Sequence, residues 1–158
     1  IIRDIETMIR TNQNSSAIYI EYQERLDALI RQKNANATEI EGILKQLSEL
    51  YTEVDDAIEM PKKMGFDNKG TFEIYQTIKN HIENFSEELV RDFAEKLTER
   101  IRAKIYIGWQ EVTPEYNRMK FEVELLAAND KYESLNLDVD GELGEKLMNS
   151  IIDNFSLN

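Results

Sequence analysis

Ile40, Leu44, Leu47, Tyr51, Val54 and Ile58 recur at alternating steps of four and three residues. That rhythm fits an α-helix and no strand, because a helix returns to the same face every 3.6 residues while a strand alternates every two. Ile43 and Leu50 widen the stripe. Ahead of it, Thr38-Glu39-Ile40-Glu41 has the form of a capping box, with a Thr oxygen for a backbone N–H and a Glu reaching back. Pro61 is expected to end the helix, since proline disfavours helical geometry in the residue before it. The stretch from 38 to 60 is therefore read as one long helix. The stripe either packs inside its own domain or forms an arm for a partner; internal packing is the base expectation.

The rest of the chain repeats this pattern. Ile2, Ile5 and Ile9 belong to one helix, and Tyr22, Leu26, Leu29 and Ile30 to the next, with Ser15 or Ser16 as its cap. Phe72, Tyr75, Ile78 and Ile82 mark a helix over 71–85. Ser86 caps another, carrying Leu89, Phe93, Leu97 and Ile101, with Glu87 and Glu88 where the helix dipole favours acids. Thr113-Pro114 reads as a cap followed by proline at the first helical position. Asn129 to Asp140 reads as a loop, and Leu143, Leu147, Met148, Ile151 and Ile152 as a last helix. Only two prolines and six glycines interrupt 158 residues, which favours long helices. The expectation is an all-α fold, an irregular bundle of about six or seven helices. Residues 1–158 are read as a single helical domain. Ile1-Ile2-Arg3 opens without methionine, as a fragment from the C-terminal end of a longer chain would, although a processed start looks the same.

Ile105, Ile107 and Trp109 alternate between two helices. A short extended segment there sends all three to one face, and the only tryptophan is best placed where the helices meet. These are packing residues without evident catalytic chemistry.

Composition narrows function mainly by exclusion. The net charge is −12, and phosphate backbones repel such a surface, so autonomous DNA binding is disfavoured. No apolar run reaches membrane-spanning length. There is no cysteine, which removes disulfides and thiolate metal sites and is compatible with a cytoplasmic location. Gly65-Phe66-Asp67-Asn68-Lys69-Gly70-Thr71 spaces its glycines like a phosphate loop but lacks the following lysine and the preceding strand. Asn136-Leu137-Asp138-Val139-Asp140-Gly141 resembles the front of a calcium loop, yet Leu147 stands where the closing glutamate belongs. Asp140 as a helix cap is the plainer reading, and composition shows no further role for the acidic loop Asp138–Asp140. His81 is the single histidine and has no partners for a zinc site. Asp55 and Asp56 are adjacent on a helix and point apart. Glu122 and Glu124 are read as solvated. No residue is assigned a catalytic, cofactor-binding or metal-binding role.

Three stretches, taken in order, carry a family likeness: Tyr22-Gln-Glu-Arg-Leu-Asp-Ala-Leu-Ile-Arg-Gln-Lys-Asn34; Gly65-Phe66-Asp67 leading to Phe72-Glu73-Ile74-Tyr75; and Leu89-Val-Arg-Asp-Phe-Ala-Glu-Lys-Leu-Thr-Glu-Arg-Ile-Arg-Ala-Lys-Ile-Tyr-Ile-Gly-Trp109. Together they resemble the C-terminal helical domain of the restriction (R) subunit of type I restriction-modification enzymes. The resemblance implies a parent with nuclease and helicase-type motor domains, using ATP and Mg to translocate and cut DNA. It implies that this segment is a non-catalytic assembly domain without a cofactor of its own. Its partners would be the methyltransferase (M) and specificity (S) subunits and the parent's motor domains. The helix after Trp109 departs from the family: Arg118 and Lys120 are followed by Glu122 and Glu124, which weakens any DNA contact there. The Asn129–Gly141 loop also matches poorly. The competing reading is an unrelated helical coiled-coil interaction module using the Ile40–Ile58 arm.

Overall fold

Amphipathic stripes this closely spaced leave each helix with one face to bury, and helices bury such faces against one another. The computed structural model describes residues 1–35 and 39–158. Among them every regular element is helical, as the apolar periodicity predicts. They form two compact units, Ile1–Gly65 and Phe66–Asn158.

The first unit packs three helices pairwise: α1 (Ile2–Asn12), α2 (Ile18–Ala35) and α3 (Ile40–Lys63). Ser16 Oγ accepts the Ile18 N–H at 3.5 Å at the entry to α2. Ile5 and Ile9 meet Tyr22, Leu26 and Leu29 in the core, with Ile43, Leu47, Leu50 and Val54 from α3. Those four are the buried row of α3. Ile40, Leu44 and Tyr51, placed by sequence on the inner stripe, are 48%, 49% and 38% exposed. The apolar arc of α3 is two rows wide, and α1 and α2 cover only one. Arg25 and Glu53 form an ion pair between α2 and α3; both side chains are about half exposed, so the pair adds little stability.

Of the two expectations at the ends of α3, one falls outside the described residues and one is corrected. Thr38, the head of the capping box, lies outside the described residues, and the observed N-cap, Glu39, makes no side-chain cap bond. Pro61 does not end the helix, which runs to Lys63 with Pro61 buried inside it. Proline removes one hydrogen bond, a loss tolerated in the last turn. The stop comes at Gly65, whose φ of 78° is left-handed and whose N–H bonds Lys62 O at 3.0 Å.

The second unit contains α4 (Lys69–Lys79), α5 (Glu87–Arg102), α6 (Thr113–Ala127) and α7 (Glu142–Phe155), with 3-10 turns at Trp109–Glu111 and Asp130–Leu135. α4 lies between α5 and α7. Gly70 abuts the Phe155 ring, and the buried hydroxyls of Thr71 and Thr98 bond at 2.6 Å across α4 and α5. α4 is shorter than the expected 71–85. It ends at Lys79, and Asn84 takes a left-handed φ of 53° before Ser86 caps α5 by accepting the Leu89 N–H at 3.3 Å. The cap of α4 is Asn68, whose Oδ1 takes the Thr71 N–H at 3.0 Å. α6 starts one residue earlier than expected, at Thr113, so Val112 rather than Thr113 is the N-cap, and Pro114 lies in its first turn.

The Asn129–Asp140 segment is not wholly a loop. Asn129 Oδ1 accepts the Lys131 N–H at 3.0 Å and opens the 3-10 helix, in which Tyr132 and Leu135 are buried. α7 takes Gly141, not Asp140, as its N-cap, with no side-chain bond.

Candidate functional site

The segment from Ile105 to Trp109 is a turn rather than an extended run. Its alternate positions do not share a face: Trp109 is 1% exposed and Ile107 74%. Gly108, at φ 80°, turns the chain, and its N–H bonds Leu157 O at 2.8 Å. Trp109 then enters the core and donates its indole N–H to Phe155 O at 3.0 Å. This ties the turn between α5 and α6 to the end of α7, where the backbone carbonyls of a helix lack partners. Tyr106 and Ile107 are left outside.

α6 is apolar on two sides. Met119, Val123 and Leu126 face the core, while Phe121 and Leu125, one helical turn apart, are 56% and 45% exposed. Glu122, read from sequence as solvated, is only 17% exposed; it pairs with Arg100 at 3.4 Å and Lys104 at 3.6 Å. The acid therefore joins α6 to the end of α5 and neutralises part of its basic tail.

Across α5, Asp92 accepts from the Tyr132 hydroxyl at 2.6 Å and pairs with Lys131 at 2.8 Å. The Lys131 and Tyr132 hydrogen bonds hold its carboxyl below the usual range. Burial, then Asp92, pushes the Tyr132 phenol up. Tyr132 also stands edge-on to Phe93, ring centres 5.1 Å apart. These contacts hold the 3-10 helix against α5.

Burial pushes the Glu73 carboxyl up from 4.5 to about 7, against the opposing pull of Lys69. A folded value above the unfolded one means the folded state keeps a proton that the unfolded state has released. The associated stability is present below pH 4.5 and lost as pH rises to about 7. Glu73→Gln is therefore expected to be more stable than wild type at pH 8, by about 1–3 kcal/mol. That advantage should shrink to nearly nothing at pH 4, as measured by urea unfolding at the two pH values. An advantage independent of pH would show that Glu73 titrates normally.

The sequence motifs weighed for chemistry do not assemble into a centre. The Gly65–Thr71 loop spends its elements on ending α3 and capping α4, and the Thr71 N–H is held by Asn68. These residues do not fit a nucleotide phosphate. His81 lies in the turn after α4, its N–H on Ile78 O. Asp56 pairs with Lys63 at 3.7 Å. Among the described residues no group of three or more His, Cys, Asp or Glu is placed to hold a metal ion, and no helix is long and apolar enough to cross a membrane.

The notable concavity lies at one end of the first unit. Ile1, Ile2 and Arg3 of α1's start, Lys33 near the end of α2, and Ile40, Ile43, Leu44 and Leu47 of α3 surround a cavity of about 250 Å³. Sequence reasoning missed it. The signal is the second apolar row of α3, Ile40 and Leu44, which periodicity alone does not separate from the first.

The family model describing the C-terminal region of type I restriction enzyme HindI endonuclease subunit-like proteins matches residues 1–138. No curated protein and no solved structure matches the chain.

Proposed function

The chain belongs to the family of type I restriction enzyme HindI endonuclease subunit-like C-terminal domains, and from that premise we propose that it is a non-catalytic assembly element. It docks the motor subunit of such an enzyme on the methyltransferase core, through contacts with the M and S subunits and with the parent's own motor domains. The parent is an ATP-dependent DNA translocase and endonuclease whose ATP and Mg are bound outside this chain. The setting is cytoplasmic.

The observation that carries this reading is the extent of the family match, which includes all of the first unit and most of the second. Surface chemistry supports it. A net charge of −12 opposes nucleic-acid backbones, while Leu44, Ile107, Phe121 and Leu125 offer large apolar side chains to protein surfaces. A free coiled-coil arm is less well supported, because Leu47 and Val54 of the α3 stripe are 1% and 0% exposed within the first unit.

The test is to mix the chain with its cognate methyltransferase core, with and without DNA, and follow size-exclusion chromatography by light scattering. A complex that forms without DNA is the expected result. A folded chain that elutes apart from the core under both conditions overturns the docking role.

A further inference from the structure

We propose that Asp140 is a site of spontaneous covalent modification: its side chain closes on the Gly141 nitrogen to a succinimide, which reopens to an isoaspartyl linkage at the seat of α7. Asp140-Gly141 is the only Asp-Gly pair in the chain, and no Asn-Gly pair occurs. Glycine after aspartate favours this ring because no Cβ crowds the attacking nitrogen.

The fold leaves both reacting groups free. An aspartate before a helix commonly caps it, yet α7 takes Gly141 as its N-cap and no side chain bonds there. Asp140 is exposed in the turn and joins no ion pair among the described residues. The Gly141 N–H donates no backbone hydrogen bond among them either. Asp138 supplies a third group: its Oδ2 would stand 2.8 Å from a Cβ on Gly141, which sets a base beside the nitrogen.

In the step, the Gly141 nitrogen bonds to Cγ of the protonated Asp140 carboxyl as the C–OH bond breaks. The amide proton passes to Asp138 and on to the departing hydroxyl, which leaves as water. A second water opens the ring at the Asp140 backbone carbonyl, so the main chain now runs through the side-chain carbon. One water is lost and one regained, and nothing is oxidised or reduced. The product has one more main-chain carbon where there is no slack. Val139 is 9% exposed and its carbonyl lies against Gly144 in the first turn of α7, while Gly141 O accepts the Glu145 N–H at 3.4 Å. Leu143 and Leu147, both fully buried, then lose their fit.

The experiment incubates the whole chain in warm neutral buffer, one sample native and one unfolded in urea. Isoaspartate is tagged by protein isoaspartyl methyltransferase and located by mass spectrometry in the tryptic peptide from Tyr132 to Lys146. The tag is expected at Asp140, accumulating in the native chain at least as fast as in urea. Asp138→Asn should slow it by about tenfold, as loss of a modest general base does. Asp140→Glu, which would need a six-membered ring, should abolish it. The modified fraction, separated by chromatography, should melt about 5 °C or more below the unmodified chain.

Absence of the tag at Asp140 in the native chain overturns the proposal. So does slower tagging in the native chain than in urea, because the folded turn then shields the pair. An undiminished rate in Asp138→Asn overturns the assignment of Asp138 as the base. A modified fraction that melts with the unmodified chain overturns the effect on α7.

Discussion

Gly144→Ala is expected to destabilise the second unit by about 3 kcal/mol or more, although alanine normally improves a helix interior by about 1 kcal/mol. A Cβ at Gly144 would collide with the Val139 carbonyl oxygen and stand 2.7 Å from its carbon. The obstacle is backbone, so no side-chain rotation relieves it. Either the 136–141 segment lifts away or α7 shifts from its seat on α4. Leu143, Leu147, Met148 and Ile151, all at 0% exposure, would then lose their fit. The natural control is Gly42→Ala in α3, where nothing lies within 4 Å of the added carbon. That substitution should gain about 0.5–1 kcal/mol. Thermal unfolding of the two variants beside wild type checks both signs. A Gly144→Ala protein as stable as wild type would mean that Val139 does not pass so close to α7.

Trp109→Ala is expected to cost about 3–5 kcal/mol, the usual range for deleting a buried aromatic side chain. The loss has two parts that Trp109→Phe separates. Phenylalanine keeps much of the apolar volume but removes the indole N–H that serves Phe155 O at 3.0 Å. Leaving that carbonyl unpaired should cost about 1–3 kcal/mol. Urea unfolding followed by far-ultraviolet circular dichroism measures both variants without relying on the tryptophan itself. If Trp109→Phe proves as damaging as Trp109→Ala, the apolar volume that phenylalanine keeps contributes nothing, and what both variants lack, the indole N–H bond and the second ring, holds the turn to α7.

Local signals were readable where local chemistry sets the outcome. Ser86 followed by two glutamates announced the start of α5, and its hydroxyl does accept the Leu89 N–H. The apolar spacing of Phe93, Leu97 and Ile101 gave the buried face of α5, each at 0% exposure. Asn68 and Asn129 cap helices by the same mechanism. Neither stands out in the sequence, because Asn68 lies inside a glycine-spaced stretch and Asn129 heads an acidic stretch that reads as a loop. Pro61 misled in the opposite way: its rule describes a preference, and the last turn of α3 meets its cost with Gly65 as the real stop.

Trp109 and Ile107 mark the limit of such reading. Both are large and apolar, two residues apart, and no local rule separates them. Trp109 is buried because the end of α7, 46 residues away, supplies an acceptor for its N–H. Ile107 is left in solvent because the turn at Gly108 aims it away.

From sequence alone followed the helical class, the start of α5, the acidic surface and the likeness to the restriction-subunit family. Each depends on neighbours within a turn or two of chain, or on the order of whole motifs. Tertiary structure alone decided the division into two units, the row of α3 that enters the core, and the cavity left between that row and its exposed neighbours. Periodicity fixes the width of an apolar arc, but burial is set by the helix that arrives to cover it. On α3 the covering helices meet Ile43, Leu47, Leu50 and Val54 and leave Ile40 and Leu44 to solvent.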